Sequence, residues 1–147
     1  MTHLVIATHA HLADALRDAA GMLLGDVQGV SAVNFVPGQT VAELIAQYAQ
    51  IVEDTPDTEV LFLVDLFGGS PYNAAVQFIA GRTGFDVVSG VNLPMLLETL
   101  IKRMRGVGLV DLVDVAEQGG SSGIRTYHEA LARISSAEAD ADDDESF

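Results

Sequence analysis

Two side chains able to do chemistry at neutral pH stand where strands end in this sequence. His9 follows the apolar run from Leu4 to Thr8, and Asp65 closes the run from Val60 to Val64. A carboxylate that accepts the Nδ1 proton of an imidazole fixes the ring's tautomer and leaves Nε2 bare. It also stabilises the positive charge that develops when Nε2 attacks an electrophile. Directly after Asp65 comes Leu66-Phe67-Gly68-Gly69-Ser70-Pro71. Glycine lets backbone approach a ligand closely, and a helix opening with Ser70 as cap and Pro71 at its first position presents free N–H groups and a positive dipole end. Taken singly these signals are weak: a loop histidine is more often solvated than catalytic, a strand-end aspartate serves a turn about as often as a reaction, and a glycine pair makes many turns. Together they point to phosphoryl chemistry, with the histidine itself as nucleophile, because Ser70 in Gly-Gly-Ser-Pro does not fit a serine nucleophile elbow. His3 at the chain start and His128 near the end read as solvated, and His11 in the turn after His9 reads as facing water.

These residues work together only if the fold brings two strand ends side by side. Strand and helix patterns alternate four times. His3 to Thr8 is β-like, and Leu12, Leu16, Ala19, Ala20, Leu23 and Leu24 then recur at helical spacing up to Gly25. A second strand spans 30–36, and Thr40 with Glu43 makes a capping box ahead of Leu44, Ile45, Tyr48 and Ile51. The third strand, 60–64, is apolar throughout, the pattern of a strand covered on both faces, and a helix follows to about Arg82. A fourth strand at 85–91 leads to a helix opened by Asn92 and Pro94, which ends in Lys102, Arg103 and Arg105, where cations suit the dipole. A short helix at 109–117, a β-like piece from Ile124 to Tyr127 and a last helical stretch from Glu129 complete the pattern. The alternation predicts an α/β fold, a doubly wound, mostly parallel open sheet of strand order 2-1-3-4 with helices on both faces. In that order His9 and Asp65 lie at adjacent carboxyl ends.

Composition narrows the function. The chain has 147 residues, 49% of them hydrophobic, which fits one domain over residues 1–135. Six of the 21 acidic side chains fall in the run Glu138 to Glu145, so residues 136–147 read as an acidic disordered tail. A formal charge of −14 opposes binding to nucleic acid or to an anionic membrane, and no segment reads as a membrane insertion. With no cysteine, the chain has neither disulfides nor thiolate-ligated metal, and it reads as an unexported, cytoplasmic protein.

The segments ATHAHLADAL, MLLGD, FVPGQT, LFLVDLFGGSPYNAA and GVNLPMLLETL, in that order, give the chain its resemblance to a known family. It resembles the IIA component of the mannose family of the bacterial phosphoenolpyruvate-dependent sugar phosphotransferase system. The resemblance implies that the phosphocarrier protein HPr phosphorylates His9 and that His9 passes the group to a histidine of the IIB component, itself coupled to the IIC and IID membrane components. It implies Asp65 as the hydrogen-bond partner of His9 and Gly69 and Ser70 as the phosphoryl cradle, with no metal and no organic cofactor. It also implies a homodimer with a C-terminal strand exchanged between subunits, which Ile124 to Tyr127 would supply. This chain departs from the pattern at Ala7 and Ala10, where glycine is frequent, and at Leu66-Phe67, where Thr-Trp is commoner. Met22, Leu23, Leu24 and Phe67 are candidates for an apolar docking patch, although the leucines also fit a core. Two other roles are open: the phosphoryl-carrying subunit of a dihydroxyacetone kinase, a domain similar in fold that the GGSP and NLPMLLETL segments fit less well, and a regulatory module whose phosphorylation state is read by another protein. The resemblance also implies that the sugar is selected by the membrane components.

Overall fold

Every residue of β3 (Val60–Val64) is buried, because this strand runs through the middle of the sheet and has helices on both sides. The computed structural model describes residues 1–145, with side chains to residue 140. β3 lies between β1 (His3–His9) and β4 (Phe85–Ser89), and β2 (Val30–Phe35) flanks β1 on the other edge. All three pairings are parallel, giving the order β2-β1-β3-β4. The predicted topology is the observed one.

Alternation along the strands splits the core into two layers. Leu4, Ile6, Leu61 and Leu63 pack against α1 (Leu12–Leu24), α4 (Leu93–Met104) and α5 (Leu109–Ser122). Val5, Ala7, Phe62 and Val64 pack against α2 (Val41–Asp54) and α3 (Ser70–Ile79). Register places Ala7 opposite Val64, so the next residues of β1 and β3 emerge at one edge. That edge carries His9 and Asp65.

The structure corrects several readings beyond this frame. Arg103 is not simply a dipole-facing cation at the end of α4. It is buried and donates to the carbonyls of Thr2 at 3.1 Å, Gly29 at 2.8 Å and Gln28, fastening α4 beneath the opposite end of the sheet. His3 is half-buried instead of solvated: its Nε2 lies 2.8 Å from Ser31 Oγ, and burial, with the Arg103 charge, lowers its pKa below the ordinary value. The glycine-rich run after Glu117 does not end α5, which continues to Ser122. A Cβ at Gly120 would stand 2.7 Å from Met95 Cε, and one at Gly119 would stand 2.9 Å from Glu98 Cβ. Glycine here lets two helices touch, and Asn92, the cap of α4, also donates to the Gly120 carbonyl at 3.1 Å.

Ile124 to Tyr127 is not a strand. Residues 124–126 connect to α6 (Tyr127–Glu145), so the segment expected to be disordered from residue 136 is helical to Glu145, while residues 146–147 lie outside the described residues. Alanine and glutamate favour the helix locally, which outweighs the β preference of the isolated Ile and Tyr. Ile124, Tyr127, Leu131 and Ile134 follow helical spacing yet are all exposed. Among the described residues, no helix is long and apolar enough to cross a membrane.

Candidate active site

His9 is the last residue of β1, and Asp65 is the first residue after β3. The Asp65 carboxylate grips His9 twice. Its Oδ2 accepts the His9 backbone N–H at 3.0 Å, and the ring Nδ1 lies 3.0 Å from Oδ2 and 3.2 Å from Oδ1. An ionised carboxylate only accepts, so the proton of a neutral ring sits on Nδ1 and the lone pair on Nε2 is free. The side chain of His9 is 43% exposed against 15% for Asp65, so the imidazole is reachable while the carboxylate that orients it is sheltered.

Two further contacts fix the ring. Phe35 meets it edge to face, with centroids 5.8 Å apart and planes at 82°. Gly69 lies so close that an added Cβ would stand 2.8 Å from His9 Cε1 and 3.5 Å from Nε2. Only a residue without a side chain fits against that edge of the imidazole. Behind the ring the chain turns sharply: Ala10 has φ of +51°, and its N–H donates to the Phe35 carbonyl at 2.7 Å. A positive φ is where glycine is at ease and alanine is strained, which gives a steric reason for the glycine frequent at this position in the resembled family. Thr8 Oγ1, wholly buried, accepts the Ala13 N–H at 2.6 Å and so caps α1, a task that the His11 side chain does not perform.

The other half of the site is the start of α3. Gly68 takes a φ of +79°, and the Gly69 N–H closes the turn onto the Leu66 carbonyl at 3.1 Å. Gly69, not Ser70, occupies the cap position, so Ser70 is the first helical residue and Pro71 the second. This corrects the sequence reading by one residue. Pro71 has no N–H, and those of Ser70 and Tyr72 lack an intrahelical carbonyl, so they form the open, positive end of the helix beside His9. Asn73 Nδ2 donates to the Gly68 carbonyl at 3.0 Å, holding the loop from within. Tyr48, from α2, donates its buried hydroxyl to the Pro71 carbonyl at 3.0 Å. Burial, with the nearby Asp65 charge, pushes the Tyr48 pKa well above the ordinary value, so the hydroxyl stays protonated. Sequence periodicity showed Tyr48 only as a core residue; a buried phenol's need for an acceptor was the signal available.

At this edge the imidazole is open to solvent. Cavities of about 480 and 630 Å³ lie elsewhere, one beside Arg103 and Gly108, the other between α4 and α5 along Leu97 and Gly119. Around His9 the exposed apolar groups are Leu12, Leu66 and Phe67, with the Phe67 ring tilted at 48° to that of Tyr72, centroids 4.8 Å apart. Met22 and Leu23 do not join this rim. They are exposed at the far end of α1, roughly 15 Å along a helix that leads away from His9, while Leu24 packs into the core. Among the described residues, no group of three or more His, Asp or Glu side chains is placed to hold a metal ion.

The family model EIIA-man, described as PTS system fructose IIA component, matches residues 3–116. The chain belongs to the EIIA-man family. A "PTS system fructose-specific EIIA component" from Bacillus subtilis (strain 168) is 38% identical over 146 residues, 99% of each chain. A "PTS system mannose-specific EIIAB component" from Escherichia coli (strain K12) is 41% identical over 123 residues, 83% of this chain, which spans 38% of that relative's length. Among solved structures, the phosphotransferase system component EIIA from Streptococcus agalactiae superposes with a TM-score of 0.81 at 27% identity, covering 88% of this chain and 99% of the other. An EIIA-man protein is a phosphoryl-carrying component of the sugar phosphotransferase system, the chemistry for which an oriented imidazole beside an anion-receptive helix end is suited.

Proposed function

We propose that His9 is the carrier residue: its Nε2 takes the phosphoryl group from phosphorylated HPr and delivers it to a histidine of the IIB component, serving sugar uptake through IIC and IID in the membrane. The observation that carries this reading is the Nδ1 bond to Asp65, which leaves the exposed Nε2 as a bare, aimed nucleophile. As the new N–P bond forms at Nε2, the N–P bond to the donor imidazole breaks, and that imidazole departs with the electron pair. The Nδ1 proton stays in the bond to Asp65, whose charge balances the ring as it becomes cationic. One phosphoramidate replaces another, so the protein supplies positioning and charge stabilisation, not driving force. Gly69 provides room at the ring edge, and Ser70, with its own N–H and hydroxyl, meets the phosphoryl oxygens. No metal or organic cofactor enters this transfer.

The transfer takes place in the cytoplasm, and the protein acts as a homodimer. Support for a homodimer comes from the exposed stripe Ile124, Tyr127, Leu131 and Ile134, an apolar face that a second copy would cover. The test is phosphorylation by phosphoenolpyruvate, enzyme I and HPr. The wild type gains one acid-labile phosphate and passes it to IIB, and His9→Ala gains none; label retained by His9→Ala contradicts the assignment. Transfer to a dihydroxyacetone kinase core, with none to IIB, favours the kinase-subunit role instead. Phosphorylation with no onward transfer to either favours the regulatory role.

A further inference from the structure

A second imidazole stands on the same edge, and its surroundings are the reverse of those of His9. His11 is exposed, and its Nδ1 lies 3.3 Å from Asn34 Nδ2. The same Asn34 nitrogen donates to Asp14 Oδ2 at 2.7 Å. Asp14 in turn holds Arg17 at 3.4 Å. Asn34 is a β2 residue paired in register with Thr8, so the network is anchored to the sheet beside the strand that carries His9.

The chemistry of this chain of contacts has one consistent proton arrangement. Asp14 accepts only, so it holds the amide with its NH₂ group forward; the rotated amide would set its oxygen against the carboxylate. Held that way, Asn34 offers its second N–H to His11 Nδ1, which must then be the bare nitrogen, and the proton of the neutral ring lies on Nε2. The Asn34 oxygen is buried and makes no hydrogen bond, so only the two N–H contacts orient the amide. His9 therefore turns a lone pair outward, and His11 turns an N–H outward.

We propose that His11 is a specificity-determining residue of this edge: its fixed Nε2–H donates a hydrogen bond to a carbonyl or carboxylate on the phosphoprotein that docks over His9. The tautomer also explains why His11 does not compete for the phosphoryl group. Its Nδ1 lone pair is covered by Asn34, and its Nε2 carries the proton. The inference rests on the phosphoryl-carrier reading of His9, and the test separates the two.

Long-range ¹H–¹⁵N correlation spectra of the labelled full chain, with His11→Gln to assign the signals, read the tautomers without any partner. His11 is expected with Nδ1 bare and Nε2 protonated, and His9 with the opposite pattern; a bare Nε2 on His11 overturns the proposal. In transfer from phosphorylated HPr, His11→Ala raises KM about three- to tenfold, the range of one neutral hydrogen bond, with kcat within about twofold. His11→Gln, whose amide places a donor near the imidazole Nε2 position, keeps KM within about twofold of wild type. Unchanged KM in His11→Ala, equal loss in both variants, or a fall in kcat alone overturns the role in docking while leaving His9 as carrier. A wild-type protein that accepts no phosphoryl group overturns both readings.

Discussion

The His9 ring is held by its neighbours on every side but one. Nδ1 is committed to Asp65, the ring edge is closed off by Gly69 and Phe35, and Nε2 alone faces outward. Gly69→Ala tests this closeness directly. The added methyl carbon would stand 2.8 Å from His9 Cε1, so the ring must turn out of line or the loop must retreat. Displacement of a reacting atom by about 1 Å costs on the order of 100-fold. Phosphoryl transfer to Gly69→Ala is expected to slow by about 10- to 100-fold with circular dichroism unchanged; wild-type rates would show that the loop is slack. At this scale the sequence was legible where polarity and position coincided, as for His9 and Asp65 at strand ends. It was not legible where a residue acts through its size or its hydroxyl. Nothing in the pattern marked Gly69 as a contact to the ring, Tyr48 as a strap on the Pro71 carbonyl, or Thr8 as the cap of α1.

The secondary elements place those atoms by two simple devices, parallel register and helix ends. Hydrophobic periodicity revealed the four strands and the first four helices because each buries a stripe or a face against the sheet. At α5 it placed the start at Leu109 but stopped at Glu117, five residues short of Ser122, because glycines normally read as a break. Gly119 and Gly120 stay helical because α4 is too close to admit a side chain, a tertiary demand invisible to local propensity. Gly119→Ala, whose methyl carbon would stand 2.9 Å from Glu98 Cβ, is therefore expected to destabilise the protein by about 1–3 kcal/mol, although alanine is the better helix former in isolation. Chemical denaturation reads this as a lowered midpoint, and a raised midpoint would mean that α4 and α5 separate easily. The β-like reading of Ile124 to Tyr127 failed for the opposite reason. Two β-formers gave a local preference, whereas Tyr127 opens a helix whose continuation is rich in alanine and acid.

The whole molecule presents a candidate edge, a stapled base and a helix with an exposed apolar stripe. Arg103 and His3 secure the end of the sheet remote from His9, so the fold is stapled at the end opposite the candidate site. The acidic excess sits partly on α6, whose apolar residues Tyr127, Leu131 and Ile134 are exposed along with Ile124. If a second copy covers that stripe, sedimentation equilibrium should give a dimer for the wild type and a monomer for Leu131→Glu combined with Ile134→Glu. A wild type that stays monomeric throughout the concentration range contradicts the homodimer. The order of strands was readable because it follows from alternating strands and helical crossovers, but oligomeric contacts involve surfaces that periodicity within one chain does not describe.

Phosphorus-31 NMR of the phosphorylated protein, combined with site mapping by mass spectrometry, examines the carrier atom itself. Phosphate is expected on Nε2 of His9 and on no other histidine. Phosphate on Nδ1 of His9, or on His3, His11 or His128, would contradict an imidazole held by Asp65 with its outer nitrogen free.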